Sequence, residues 1–381
     1  MTEQQLRDAL RDAPLDDRGA RARALAVVRA AYREREPRRA PRRFAPVFAV
    51  LACVLAAVAV AAAVSAPGDA VARWVREVLG TGRPDARPAL VRVPGGGRLL
   101  VGSAGSVWVV SPDGSRRRLG DYDGAVWSPR GLYAAVWRGG ELLAVEPTGE
   151  VHWSLARPKP IASARWSPVD GYRVAYVTGR RLRIVDGDGT DDRPLAAVDA
   201  AVTPAWRPDA AHVLAYADRR DRVHVVAVDS GRELARASVR GVFEVAWSPD
   251  GRRLVVAAPH RIVVLGRGGR TLAARPLPRG VVADDIAFSP AGRLAVVRRG
   301  GGRSDVVVGG RRLFTGPGRF GDVAWSPAGS RLLVPWPEAD QWLFLAADGG
   351  RTAAVANIER QFARGPVRHA FPDAVEWCCP R

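Results

Sequence analysis

The sequence predicts an all-β fold, a seven-bladed β-propeller, set behind one transmembrane helix and a short helical cytoplasmic tail. Three observations carry the prediction. A turn motif recurs six times, as VWSPRG at 126–131, RWSPVDG at 165–171, AWRPDA at 205–210, AWSPDG at 246–251, AFSPAG at 287–292 and AWSPAG at 324–329. Its aromatic residues, Trp127, Trp166, Trp206, Trp247, Phe288 and Trp325, are spaced 39, 40, 41, 41 and 37 residues apart. Upstream, residues 47–64 (VFAVLACVLAAVAVAAAV) are eighteen apolar residues in a row.

The repeat justifies the propeller. In each unit a short strand ends at the aromatic residue. Ser-Pro-Asp-Gly or a variant follows, Pro presetting φ and Gly closing the turn. A β-rich run comes next, such as RLVVAA at 253–258, then a second, such as RIVVLG at 261–266. A Gly-containing turn leads to a weaker fourth strand, such as TLAARPL at 271–277. Four antiparallel strands in roughly 40 residues, repeated at near-constant period, are the pattern of propeller blades. The aromatic positions recur in register, so they are expected to pack between blades.

Ring closure is open at two places. A degenerate copy, RVPGGGRLL at 92–100, precedes the first clear unit. At the other end VEWCCP, 375–380, imitates an aromatic-ending strand with Trp377 in the aromatic slot. Either assignment gives seven blades. The expectation carried forward is that 375–379 pairs beside 98–102. At its SPDG copies the chain resembles the WD-repeat-like propeller repeats of the TolB type over residues 89–355. The Gly-His and Trp-Asp dipeptides of true WD repeats are absent. The resemblance implies the propeller fold.

The segment 44–66 carries no charge and is long enough to cross a bilayer core, which takes about 20 apolar residues in a helix. A buried core helix and a signal peptide cleaved after Val64-Ser65-Ala66 compete with this reading. Pro67 and the long preceding chain favour an uncleaved anchor. Arg38, Arg39, Arg42 and Arg43 precede the run, whereas Arg73 and Arg76 after it are balanced by Asp69 and Glu77. The positive-inside rule then puts the N-terminus in the cytoplasm and the propeller outside.

The expected organisation is a cytoplasmic helical tail at 1–43 and the span at 44–66. A juxtamembrane helix and linker at 67–88 lead to the propeller at 89–381. Val71, Trp74, Val75, Val78 and Leu79 form an amphipathic stripe closed by Gly80. The tail carries Leu6 and Leu10, then Leu25, Val28 and Tyr32, at helical spacing. Such short helices are marginal alone, so the tail is expected either to stay mostly disordered or to dock on a cytoplasmic partner. The layout is similar to that of membrane-bound anti-sigma factors, which implies a transmembrane signalling regulator as the alternative function.

Lys and Arg total 58 against 39 Asp and Glu, a net charge of +19, and every basic residue except Lys159 is Arg. Ala, Gly, Pro and Arg are abundant together, the pattern of GC-rich coding sequence, so arginine number alone is no functional signal. Chemistry-bearing motifs are scarce. None of the five His residues lies in a metal-spaced pair, and neither a phosphate-loop nor a GxSxG motif occurs. GPGRFG at 316–321 reads as a turn, as does the stretch holding Asp186, Asp188, Asp191 and Asp192. Asp284-Asp285 reads as a solvated inter-blade connection, and His212 and His224 as sheet residues. Cys53 lies in the span. Cys378 and Cys379 are adjacent, and a bond between them, two thiols or an intermolecular bond all remain open. No catalytic residue, metal or cofactor is assigned. A propeller hydrolase would need His, Asp or Glu converging on the central channel.

Charge placement is more informative. In four-stranded blades the second loop and the inter-blade connection emerge at one end of the ring. The second loops hold Arg138, Arg180, Arg181, Arg219, Arg220, Arg261, Arg298, Arg299 and Arg303, the candidate binding residues. Arginine suits bidentate binding of carboxylate or phosphate. The function expected is a membrane-anchored, non-catalytic binding or scaffold module outside the cytoplasm. Its partner would be a protein or an anionic envelope polymer, and nucleic acid is not expected.

Overall fold

The computed structural model describes residues 86–379 except 104, 170–171, 211, 364–370 and 373. The expected tail, span and juxtamembrane helix lie outside the described residues. Among the described residues no helix is long and apolar enough to cross a membrane.

Seven antiparallel sheets follow one another around a closed ring, each innermost strand beside the next blade's. Blade 1 pairs Ala374–Cys378, innermost, with Arg98–Ser103, Ser106–Val110 and Arg116–Gly120. Blades 2 to 7 occupy 124–156, 161–197, 205–238, 244–276, 282–317 and 324–356. Their innermost strands are Gly124–Trp127, Ile161–Trp166, Ala205–Trp206, Glu244–Trp247, Val282–Phe288 and Ala324–Trp325. Every one ends on its repeat's aromatic residue, as the motif spacing requires.

The SPDG-like motif holds the first hairpin of blades 2, 5, 6 and 7. In blade 5 the Gly251 N–H donates to Ser248 O at 2.8 Å, and the buried Ser248 hydroxyl accepts the Arg253 N–H at 3.0 Å. Ser128, Ser289 and Ser326 do the same for Tyr133, Arg293 and Arg331. Serine is therefore buried here because its hydroxyl satisfies a turn N–H that would otherwise be orphaned.

The core is divided into seven layers, one between each adjacent pair of blades. Val, Leu and Ala from the middle strands fill both sides of each layer. The buried Trp127, Trp166, Trp206, Trp247 and Trp325 each pack toward the preceding blade. Trp206 and Trp325 also donate their indole N–H groups to that blade, to Arg165 O at 2.9 Å and Ala287 O at 3.1 Å.

The C-terminal strand closes the ring. Leu99 pairs with Trp377 and Leu100 with Glu376, and Trp377 Nε1 donates to Gly96 O at 2.7 Å. The degenerate copy at 92–100 thus supplies a turn and a second strand, and the far end of the chain supplies the innermost strand. At the end of that strand the sulfur atoms of Cys378 and the following Cys379 are in contact. Closure is doubled at the outer edge. Ala86–Arg87, within the stretch read as linker, pairs in parallel with Ala353–Ala356 as a fifth strand of blade 7. Asn357 and Gln361 hold the entering chain by hydrogen bonds to Pro88 O and Leu90 N–H.

Two expectations are corrected. Asp285 is buried, not solvated: the strand Val282–Phe288 runs through it, and a bulge between Ala283 and Asp285 sends the two aspartates to different surroundings. His212 precedes its strand, in a turn at φ +61°, while His224 lies within one as expected. The Asp186 segment is a hairpin turn, closed by Asp186 N–H to Thr190 O and Gly189 N–H to Asp186 O.

Candidate functional site

The second loop of each blade and the connection to the next blade meet at one end of the ring, tied by main-chain hydrogen bonds. Val198 N–H donates to Arg180 O, Val239 N–H to Asp221 O, Leu277 N–H to His260 O and Gly318 N–H to Gly302 O. The candidate arginines sit here, though several belong to strands and not to loops. Arg138 ends a strand, Arg181, Arg261 and Arg303 begin strands, and Arg298 and Arg299 lie inside Leu294–Gly300. The strands run almost to the hairpin tips, which leaves two-residue turns in blades 3, 5 and 6. Only Arg180, Arg219 and Arg220 are in loops.

Ion pairing divides this set. Arg138 pairs with Glu141 at 3.2 Å, Arg298 with Asp305 at 3.1 Å and Arg299 with Asp284 at 2.8 Å. Among the described residues Arg180, Arg181, Arg219, Arg220, Arg261 and Arg303 have no acidic partner, and all six are exposed. They form an arc over four consecutive blades, 3 to 6. The acids nearest the arc are occupied. Asp218 is opposed by its burial but held well below the usual carboxylate range by hydrogen bonds from Arg222, from the Arg220 N–H and from His224. Asp221 Oδ1 accepts the Gly241 N–H at 2.9 Å.

The arc deepens between blades 4 and 5 into an open cleft of about 880 Å³. Arg220, Arg240, Arg261, Ser238, His260 and Asp221 line it. Sequence reasoning found Arg220 and Arg261 but missed Arg240, Ser238 and His260. Arg240 and Ser238 lie at the connection to the next blade and not in a second loop, and a lone His260 carries no signal in the sequence.

The central channel is a second polar feature, with a cavity of about 860 Å³. Glu244, Asp285 and Asp322 each stand three residues before their blade's aromatic residue and line it together. Glu244 Oε2 accepts the Ile286 N–H of blade 6 at 2.9 Å, and Asp285 Oδ2 accepts the Val323 N–H of blade 7 at 2.7 Å. Burial pushes the Glu244 carboxyl well up, helped by the charge of Asp285. Burial, then the charge of Asp322, raises Asp285 to about 7. The two carboxyls are coupled, each favouring the protonated form over its ordinary value. Across the ring Arg165 pairs with Glu376 at 3.3 Å. Among the described residues no group of His, Cys, Asp and Glu is arranged to hold a metal ion.

Comparison with solved structures bears on the architecture. The chain is similar to Kuenenia stuttgartiensis hydrazine synthase, with a TM-score of 0.51 and 16% identity over 59% of this chain and 76% of that one. It is similar also to Kluyvelomyces marxianus Hsv2, with a TM-score of 0.51 and 12% identity over 68% and 94% of the two chains. A KlHsv2 variant with loop 6CD replaced by a Gly-Ser linker gives a TM-score of 0.52 at 15% identity, over the same 68% and 94%. These likenesses show the propeller fold alone. No family model and no curated protein matches the sequence.

Proposed function

We propose that this chain is a non-catalytic binding module: a seven-bladed propeller held at a membrane by the span at 44–66, on the outer side, with its arginine-bearing end turned to an anionic envelope polymer. The observation that carries the reading is the arc of six exposed arginines without acidic partners on blades 3 to 6. Loops from successive blades converge at the ring end, so their charges add into one positive field. The buried carboxyl pair in the channel is engaged with the backbone of neighbouring blades, which accounts for it as a link between blades. An acidic protein surface is the other partner that this charge would accept.

The test replaces Arg180, Arg181, Arg220 and Arg261 together by Ser in the full chain. A control variant replaces Arg130, Arg232, Arg252 and Arg270, exposed arginines near the hairpin turns at the opposite end. Both lose four charges. The first is expected to lose retention on an anionic polymer column at low salt, where screening is weak, and the second to keep most of it. Equal loss in both variants would mean that net charge alone acts.

A further inference from the structure

We propose that the cleft between blades 4 and 5 is a discrete binding site for a phosphate ester. The inference rests on the anionic-partner reading of the same end of the ring and deepens it, from a charged face to one site and one ligand class.

Three guanidiniums from three different loop regions meet at this cleft: Arg220 from the second loop of blade 4, Arg240 from the connection onward, and Arg261 from the start of the third strand of blade 5. All three are exposed, and none has an acidic partner among the described residues. The one carboxylate on the cleft wall, Asp221, is turned to the backbone. Its Oδ1 takes the Gly241 N–H, and its φ of +58° fixes the loop in that pose. The cleft therefore carries an excess of two positive charges. A single carboxylate would leave one of them unmatched, whereas a phosphate monoester carries about −1.5 to −2 at neutral pH and offers three acceptor oxygens. Arginine forks match those oxygens in pairs.

Two further groups fit that ligand. The Ser238 hydroxyl is exposed on the cleft wall and can donate. The His260 ring is anchored by Nδ1 to Val281 O at 3.4 Å and borders the cleft beside Arg261. The volume, about 880 Å³, exceeds what one phosphate group needs. The site thus has room for the organic part of a monoester, or for two neighbouring diester units of a phosphate polymer, each bringing one negative charge. The comparable hollow between blades 6 and 7 differs where it matters. Its Arg299 is paired with Asp284, and its wall carries Glu338.

The experiment is isothermal titration of the full chain in detergent micelles with four probes: glycerol phosphate, poly(glycerol phosphate), a short-chain phosphatidic acid below its critical micelle concentration, and citrate. The expected result is one glycerol phosphate per chain, weakened at least tenfold by the double change Arg240→Ser and Arg261→Ser. Arg240→Lys with Arg261→Lys should recover part of the loss. Arg130→Ser with Arg252→Ser, exposed near the hairpin turns at the opposite end of the ring, should leave glycerol phosphate binding unchanged. Tighter binding of the polymer or of the lipid than of the free ester identifies the natural source of the phosphate. Unchanged melting of each variant keeps the comparison to binding, since neither Arg240 nor Arg261 holds a neighbour by an ion pair. Citrate binding as tightly as glycerol phosphate, or full binding by the Arg240/Arg261 double variant, would overturn the proposal. If that happens while the four-arginine variant still loses column retention, the cleft is wrong and the wider reading stands. Equal column loss in the two quadruple variants would instead remove the wider reading.

Discussion

The carboxylate of Glu376 accepts the main-chain N–H of Trp127 at 2.8 Å, joining residues 249 positions apart. Glu376 lies on the strand that closes blade 1, and Trp127 is the aromatic residue of blade 2. The last strand of the chain is thus bound on its edge to Arg98–Ser103 and on its face to the neighbouring blade. The same device recurs at Glu244 with Ile286 and at Asp285 with Val323. An inward carboxylate on one innermost strand satisfies an N–H on the next.

Removing residues 374–381 should therefore cost more than a frayed end. It exposes the edge of Arg98–Ser103, the Val375 and Trp377 contacts and the Trp127 N–H. The melting temperature of the full chain is expected to fall by several degrees or more, at about 2–4 °C per kcal/mol for a domain of this order of size. Unchanged melting, read by tryptophan fluorescence, would mean that blade 1 does not need the strand.

Gly97 and Gly96 make a paired test of the closure. Gly97 has φ +75°, and a Cβ there would lie 2.7 Å from Cys378 O; Gly96 has φ +70° with open space around it. Gly96→Ala should cost only the left-handed backbone, about 1–2 kcal/mol. Gly97→Ala should cost that and also push away the closing strand, so it must melt lower than Gly96→Ala. Equal melting would contradict the contact.

The channel carboxyls give the fold a pH dependence of known sign. Asp285 is raised from 3.8 to about 7 by burial and by the charge of Asp322, Glu244 is raised by burial and by Asp285, and Glu376 is raised by burial. A carboxyl raised by folding stabilises fully below its unfolded value, and the contribution disappears as pH rises through the folded value. Asp218, held low, stabilises above its unfolded value and is already at its full contribution by about pH 5. Melting temperature should therefore fall between pH 5 and pH 8. Asp285→Asn, which can still accept the Val323 N–H, should flatten that fall. An identical slope in the variant would show that the raised Asp285 carboxyl is not its source.

The repeat was legible because a propeller writes its period into its turns. Pro fixes φ, Gly closes the hairpin, and the aromatic residue fills the layer between blades, so each leaves a residue type at a fixed offset. Closure was legible with one ambiguity, since Trp377 matched the aromatic slot but the copy at 92–100, with Arg92 in that slot, could have closed its own blade. The structure decides for the far strand, which pairs beside Arg98–Gly102, while Gly95 and Gly97 pack against Trp377. Asp285 was misread because adjacent aspartates suggest solvent, and the bulge that separates them has no sequence mark. Its place three residues before Phe288, matched by Glu244 and Asp322, was a signal in the sequence. Arg240 was missed for a different reason: it lies in the connection between blades 4 and 5, and the candidate set held second-loop arginines alone.

The proposed anchor has its own test. Reporter fusions after residue 85 of the full chain should be active with a reporter that works only outside the cytoplasm. Activity of a cytoplasmic reporter at that junction would reverse the topology drawn from Arg38, Arg39, Arg42 and Arg43.

Arginine-selective labelling with phenylglyoxal measures the binding end most directly. The full chain is labelled with and without poly(glycerol phosphate), and modification is read at each arginine by mass spectrometry. Protection of Arg180, Arg181, Arg220, Arg240 and Arg261, with Arg130, Arg252 and Arg270 labelled as before, is the predicted result. Equal protection at both ends of the ring, or none at the first five, would contradict the account.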